Sequence, residues 1–208
     1  MTAAGQPPSA RRDELLDLAY QYVLRHGLAD MSLRPLAEAV GSSPRVLLFL
    51  FGSKEGLVRA LLSRARAEEL GLLQVAGGQP GGDLVEFAGR VWDWLVAPEH
   101  RALLTLWVEG YGRSLIEPDG PWGDFARQTV ADWLDVLGSR QPPARRRSRA
   151  GAAERTLVLA VLRGGFLDLL ATGDVDRVSA AVGAGLEALR RGQRGAGRRK
   201  AGRQGGAD

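Results

Sequence analysis

The 208-residue sequence contains no cysteine and only two histidines. The absence of cysteine excludes disulfides and thiolate metal sites, and it suits a reducing compartment such as the cytosol. No apolar run reaches the roughly 20 residues of a membrane span, since Arg163 and Asp168 interrupt the best candidate, 157–170. The chain starts with a polar, proline-containing stretch that is unlike a secretory signal. We therefore expect a cytoplasmic protein with no membrane partner.

Motifs of catalysis and metal binding are also missing from the sequence. Neither His26 nor His100 stands in a metal-ligand or nucleophile pattern, and no P-loop, dinucleotide fingerprint or zinc motif occurs. We therefore predict no cofactor, no metal site and no catalytic residue. An α-helical enzyme is the weakest of the alternatives, and a binding protein is favoured.

The residues that are present favour helices, because Leu, Ala and Arg are abundant and β-branched runs are few. Apolar residues recur at helical spacing from Leu15 to Val23, and glycines and prolines punctuate the chain beyond. The pattern predicts an all-α fold. The expected helices follow one another from Ser9 to Gly27, from Ser32 to Gly41, from Ser43 to Phe51, from Ser53 to about Leu73, and at about 83–96, 99–115, 123–138, 152–172 and 174–191.

Charge divides the chain into regions. Residues 1–66 carry nine basic and six acidic side chains, whereas residues 67–138 carry four basic and twelve acidic ones. A basic head on an acidic body indicates that the head faces a polyanion. We predict a disordered N-terminus at 1–8, a DNA-binding domain at 9–69, an effector-binding and dimerisation domain at 70–191 and a disordered basic tail at 192–208. The tail is either a further source of nonspecific DNA affinity or a compositional bias.

Three short helices within the head describe a helix-turn-helix. Ala37 is small where the second and third helices must cross closely, and Gly41 permits the positive φ of the turn between them. Val46, Leu47 and Phe51 supply the buried side of the third helix. The N-terminal end of that helix, from Ser43 to Arg45, is then free to enter a major groove.

Residues 9–69 resemble the DNA-binding domain of the TetR family of transcriptional regulators. The resemblance rests on the second helix, 32–41, on Ser43-Pro44 opening the third, and on the run Phe51-Gly52-Ser53-Lys54-Glu55-Gly56-Leu57 that opens the fourth. It implies a DNA-binding head, a C-terminal domain that binds a small effector, and a homodimer.

The sequence departs from the family at the end of the third helix, where Leu48-Phe49-Leu50 replaces the usual Tyr and polar residues. These side chains cannot read base edges by hydrogen bonding, although they can touch a thymine methyl group. Arg45 is the one strong hydrogen-bonding reader, and Lys54 resembles the family's phosphate contact. The residues predicted to bind DNA are Ser32, Leu33, Arg34, Ser42, Ser43, Pro44, Arg45, Val46, Leu48, Phe49 and Lys54.

All five tryptophans lie within residues 83–138. An aromatic stripe at helical spacing is more often plain core, but so many aromatics in a small helical domain make an effector pocket plausible. Glu109 and Arg163, inside apolar helices, are polar anchors of that pocket or a mutual ion pair. The residues predicted to bind a flat, lipophilic effector are Trp92, Trp107, Glu109, Tyr111, Arg163 and Phe166.

Small and apolar residues stripe the last two helices, which predicts a two-fold interface unless the stripes pack on the domain's own core. The predicted dimer residues are Val161, Gly164, Gly165, Asp168, Val178, Ala181, Val182, Gly185 and Leu189. The resulting hypothesis is a dimeric repressor that binds a palindromic operator and is released by its effector. The alternative is a helical ligand- or partner-binding protein whose helix-turn-helix no longer reads DNA.

Overall fold

A computed structural model describes residues 8–28, 31–76 and 83–204 of the chain. Over these ranges the secondary structure is helical and contains no strand, which confirms the predicted all-α fold. The α-helices are α1 (Pro8–His26), α2 (Leu33–Ala39), α3 (Pro44–Phe51), α4 (Lys54–Ala76), α5 (Leu84–Leu95), α6 (Arg101–Ile116), α7 (Phe125–Ser139), α8 (Pro143–Arg146), α9 (Arg149–Thr172) and α10 (Val175–Gln204).

The observed helices follow the predicted ones closely as far as α9, with two differences. The sequence reasoning missed α8, a single turn that begins at the second residue of the Pro142-Pro143 pair. It also ended the last helix at 191 and predicted a disordered tail from 192, whereas α10 continues to Gln204. Arg, Ala, Lys and Gln are good helix formers, and extending an established helix adds a hydrogen bond per residue, which offsets the poor helix propensity of the four glycines in 192–204. The predicted disorder of 1–7 and 205–208 and the predicted loop at 77–82 lie outside the described residues.

The chain divides into two compact units. The first, which we call the head unit, contains the residues up to Leu72 together with Arg101–Val130. The second, the body unit, contains Leu73–His100 and the residues from Ala131 onward. The predicted boundary at 69/70 therefore lies close to the first break, but α6 and the start of α7 belong with the N-terminal helices.

The core of the head unit is built from one face each of α1, α4 and α6. Tyr20 is fully buried, whereas Leu18, which lies between the apolar residues Leu15 and Val23, is exposed. The side chains that fill this core are Leu15, Ala19, Tyr20, Val23, Leu57, Leu61, Ala65, Leu106 and Trp107. The backbone N–H of buried Leu28 donates to Glu109 Oε2 at 2.9 Å, which joins the end of the first helical segment to α6.

The body unit is organised around the close approach of α5, α9 and α10. A Cβ atom on Gly165 would lie 2.6 Å from Val182 Cγ2 and 2.9 Å from Trp92 Cζ3. The backbone of α9 is therefore in close contact with side chains of α10 and α5. Trp92 Nε1 donates to Ser179 Oγ at 3.0 Å, which satisfies the one polar atom of this buried indole. The tight packing of α5, α9 and α10 therefore depends on the missing side chain at Gly165.

We expect Gly165→Ala to lower the free energy of unfolding by about 1–3 kcal/mol, because the added methyl group overpacks a rigid Val–Trp contact. Gly89→Ala in α5 is the matched control, since nothing lies within 4 Å of its added Cβ. It should be neutral or stabilising by up to about 1 kcal/mol, from helix propensity alone. Urea denaturation of the two variants measures the difference, and equal midpoints would contradict this view of the α9 packing.

Candidate nucleic-acid interface

The turn between α2 and α3 has the geometry that a helix-turn-helix requires. Gly41 has a φ of 63°, a left-handed conformation that glycine adopts without steric cost. The backbone N–H groups of Gly41 and Ser42 donate to the carbonyl groups of Glu38 and Ala37 at 3.1 and 2.8 Å. Ala37 is buried. These contacts satisfy the last carbonyls of α2 and turn the chain directly into α3.

Both ends of α3 are set by local chemistry. Ser43 is extended and its Oγ accepts a hydrogen bond from Val46 N at 3.3 Å, while Pro44 occupies the first helical position. Gly52, with a φ of 78°, ends the helix. Ser53 Oγ then accepts from Gly56 N at 3.0 Å and caps the start of α4. The eight residues of α3 therefore form an independent rod about 12 Å long.

The rod is anchored through its inner side. Leu47 and Phe51 are buried, and α3 contacts both α1 and α2. The guanidinium of Arg12 lies 5.0 Å from the centre of the Phe51 ring, a cation–π contact that covers the end of α3. These contacts confirm the predicted roles of Leu47 and Phe51. The prediction for Val46 as part of the buried side was wrong, because its side chain is 39% exposed.

The outer side of α3 is exposed, and most of it is apolar. Phe49 is 82% exposed and Leu48 is 39% exposed, which is unusual for large hydrophobic side chains. Arg45 is exposed on the same helix, one turn before Phe49. A guanidinium and a phenyl ring are therefore neighbours on one outward face.

Unpaired cations flank this face. Within the described part of the chain, Arg34, Arg45 and Lys54 are exposed and make no hydrogen bond or ion pair. Arg11, by contrast, is paired with Glu14 at 2.6 Å. An exposed arginine or lysine that makes no ion pair leaves its N–H donors available to a partner, and Glu55 interacts with Lys54 only electrostatically. The arrangement favours a polyanion.

The remaining predicted DNA-contacting residues lie at the edges of the same surface. Ser32, Ser43 and Pro44 are exposed, and Leu33 and Ser42 are half-buried. Ser32 has the extended backbone of a helix cap but makes no capping hydrogen bond, which leaves its hydroxyl available at the start of α2. The structure therefore brings the predicted residues from α2, α3 and the start of α4 into one segment of the head unit.

The six residues predicted for the effector divide between the two units. Trp107 and Tyr111 stack in the head unit with ring centres 5.0 Å apart, and Trp107 Nε1 donates to Glu69 Oε2 at 2.9 Å. The carboxylate of Glu109, the third head-unit residue, accepts the Leu28 hydrogen bond. Trp92, Arg163 and Phe166 lie in the body unit, where Trp92 and Phe166 are buried and Arg163 is half-buried. Glu109 therefore has a structural role that the sequence did not suggest, and the effector site remains a prediction.

The predicted dimer stripe needs correction. Val178 and Val182 are buried inside the body unit's own core, and Gly165 lies against Val182 and Trp92, so these three residues cannot form an outer surface. A Cβ on Gly185 would similarly lie 3.3 Å from Val161 Cγ1, which makes this pair a contact between α9 and α10. Stripes of small residues serve close packing within a chain as well as between chains, and spacing alone does not separate the two.

Other members of the stripe remain accessible. Gly164 and Ala181 are exposed, and Leu189 is half-buried. Asp168 is held by Arg177, whose guanidinium nitrogens lie 2.7 and 2.9 Å from the two carboxylate oxygens. These hydrogen bonds lower the pKa of Asp168. Its charge is therefore already engaged within the chain.

The described residues contain no grouping of three or more His, Asp or Glu side chains suited to a metal ion. Across the same ranges, none of the helices combines the length and apolarity that crossing a membrane requires.

Comparison with known proteins points to one family. The model of the family described as "Bacterial regulatory proteins, tetR family" matches residues 15–61. The HTH-type transcriptional repressor ComR of Escherichia coli (strain K12) is 42% identical over 60 residues. That match spans 29% of this chain and 29% of ComR.

Solved structures extend the likeness to the whole fold. A TetR transcription regulator from Haloarcula marismortui ATCC 43049 is similar with a TM-score of 0.70, at 15% identity over 88% of this chain and 98% of that one. The multidrug binding protein EbrR, solved with imidazole, has a TM-score of 0.62, at 23% identity over 85% of this chain and 89% of EbrR. Residues 15–61 are therefore similar to the tetR family of bacterial regulatory proteins, and the fold of the described residues is similar to that of these two solved structures.

Proposed function

We propose that the protein is a cytoplasmic, dimeric transcriptional repressor that binds a palindromic operator and releases it on binding a small lipophilic effector. The observation that carries the proposal is the outward face of α3. Arg45 and Phe49 are exposed there, and the unpaired charges of Arg34 and Lys54 lie on the segments before and after it. In this arrangement the cations bind phosphates and hold the helix in the major groove, and the central side chains meet the base edges.

The dimer is supported by small and apolar residues of α9 and α10 that are exposed in one protomer. One side of α9 is exposed and consists of small and apolar residues, namely Ala153, Leu157, Ala160, Gly164, Leu167 and Ala171. On α10, Ala181, Ala184 and Ala188 are exposed in the same helical register. A two-fold pairing of these helices buries both faces and presents two heads to successive major grooves, about 34–36 Å apart.

Repression and effector release are supported by relatives. ComR, the relative matched through its head, is named a repressor. EbrR, matched through its fold, is named a multidrug binding protein and was solved with a small molecule. Reciprocal linkage supplies the mechanism, because an effector that favours a body conformation with the wrong head spacing weakens DNA binding by the same factor that DNA weakens effector binding.

One observation favours a second function. An 82% exposed phenylalanine beside an exposed leucine is also typical of a protein-binding surface. In that alternative the helix-turn-helix docks on a protein partner and does not read DNA. The unpaired cations on both sides of the helix make DNA the favoured ligand.

We expect Arg45→Ala to weaken binding to DNA from upstream of the protein's own gene by about tenfold to a hundredfold, the range for losing a bidentate guanine contact. Lys54→Ala should weaken all DNA sequences equally and reduce the slope of log affinity against log salt by about 1. Arg25→Ala, an exposed cation on α1, is the matched control. Gel retardation across a salt series measures all three variants. Failure of the wild type to retard any DNA at low salt would leave the protein-partner alternative.

We expect Phe49 to contact thymine methyl groups, which hydrogen bonding does not read. Replacing thymine by uracil throughout the bound DNA removes those methyl groups without changing base pairing, and should weaken wild-type binding about fourfold per lost contact. Phe49→Ala should bind thymine and uracil DNA alike. Ile116→Ala, another exposed apolar side chain, should keep the wild-type preference. Equal affinity of the wild type for both DNAs would exclude methyl readout while leaving DNA binding intact.

We expect the wild-type protein to scatter light as a dimer at micromolar concentration. The double variant Leu157→Glu/Leu167→Glu should be monomeric, because it places charges on an apolar face that the dimer removes from water. Leu115→Glu changes an exposed leucine in the head unit and serves as the control. A monomeric wild type, or a double variant that stays dimeric, would remove this interface from the proposal.

A further inference from the structure

A cavity of about 310 Å³ lies within the head unit, apart from the residues predicted for the effector. One wall is a face of α4, formed by Arg59, Leu62, Ser63 and Arg66 at helical spacing. The opposite wall is the segment from Pro118 to Gln128, which leads from α6 into α7. The volume is at the lower end of the range for small-molecule sites.

The apolar part of the cavity is rigid. A Cβ on Gly110 of α6 would lie 2.9 Å from Leu62 Cδ2 and 3.2 Å from Phe125 Cε1, so these helices are already in close contact behind the cavity. Trp122 is buried, and Arg113 lies over its indole ring at 6.0 Å. Leu62, Phe125 and Trp122 are therefore held in place and form the apolar side of the cavity lining.

The polar side chains that line the cavity carry more hydrogen-bond donors than acceptors. Arg66 donates to Gln128 Oε1 at 2.6 Å, which turns the amide nitrogen of Gln128 away from Arg66. Within the described ranges, this nitrogen, the guanidinium of Arg59 and the hydroxyl of Ser63 make no hydrogen bond, and Arg59 interacts only electrostatically with Glu55, one turn earlier on α4. The one carboxylate in the lining, Asp124, is engaged by Arg127 at 2.6 Å.

From these contacts we infer that the cavity between α4 and the 118–128 segment binds an aromatic carboxylate. The ring lies on Leu62, Phe125 and Trp122, and the carboxylate accepts hydrogen bonds from Arg59, with Ser63 and Gln128 as further donors. Charge-assisted hydrogen bonds of this kind are the stronger ones, and here they act beside an apolar wall.

The location gives this site a regulatory consequence, which rests on the proposed function. Arg59 lies five residues after Lys54 on the continuous helix α4, about 7.5 Å along its axis. An anion bound at Arg59 therefore makes the electrostatic potential near the predicted phosphate contact more negative. The ligand of this cavity weakens DNA binding.

The test uses the full-length protein without DNA and the probe pair 1-naphthoate and 1-naphthamide, which share a ring system and differ in charge. Isothermal titration calorimetry should show the anion binding at least tenfold more tightly than the amide. Arg59→Gln should weaken naphthoate by about tenfold, leave naphthamide unchanged and keep the wild-type unfolding temperature, because Arg59 is exposed. Arg25→Gln removes the same charge elsewhere in the head unit and should bind both probes as the wild type does.

Two results would overturn the assignment: no naphthoate binding at millimolar concentration, or naphthoate binding that Arg59→Gln leaves unchanged. A gel retardation series with and without naphthoate then tests the regulatory consequence separately. If naphthoate binds through Arg59 but the protein retards no DNA, the site stands and the proposed function fails. If DNA is retarded and naphthoate does not change its affinity, the regulatory consequence is wrong.

Discussion

The burial of two side chains, Leu47 and Phe51, determines the position of α3, on which the proposed DNA contacts depend. An isolated helix of eight residues is not stable in water, so α3 exists because these side chains pack on α1 and α2. Glycines with positive φ at both ends, Gly41 and Gly52, prevent it from merging with its neighbours. Because Leu47 and Phe51 are buried on its inner face, the rotation of α3 about its own axis is fixed. Arg45 and Phe49 are therefore directed outward, even though Phe49 is apolar.

Hydrogen bonds within the head unit join the helix-turn-helix and α4 to α6 and the start of α7. Residues 101–130 belong to the same compact unit as the helix-turn-helix. The Leu28 N–H to Glu109 contact ties α6 to the loop that precedes α2, and the Arg66–Gln128 hydrogen bond ties α4 to the start of α7. A ligand that moves α6 or the 118–128 segment thus has contacts through which to shift the DNA-binding helices. Chains of packed side chains and hydrogen bonds of this kind are the contacts that can carry energetic coupling between sites.

The sequence predicted the fold class and the helix-turn-helix because their signals are local. Gly41, Ser43-Pro44 and Gly52 determine turns and caps from their own chemistry, and each acts where it was predicted to act. Val46 was misplaced because a short helix with six apolar residues out of eight has no clear polar face to orient it. The α9–α10 stripe was partly misassigned because small residues have the same spacing whether they face a second helix of the same chain or a partner. The cavity could not be predicted, since it depends on how the proline- and glycine-rich 118–123 segment packs against one face of α4.

In the proposed dimer, the outward faces of two α3 helices occupy successive major grooves of one duplex. Dimethyl sulfate methylation interference tests it directly, because the reagent methylates guanine N7 at the floor of the major groove. On bound DNA from upstream of the protein's own gene, we expect interference at two clusters of guanines separated by one helical turn, about 10 base pairs, or a multiple of it. Binding that persists with every guanine N7 methylated would contradict the account.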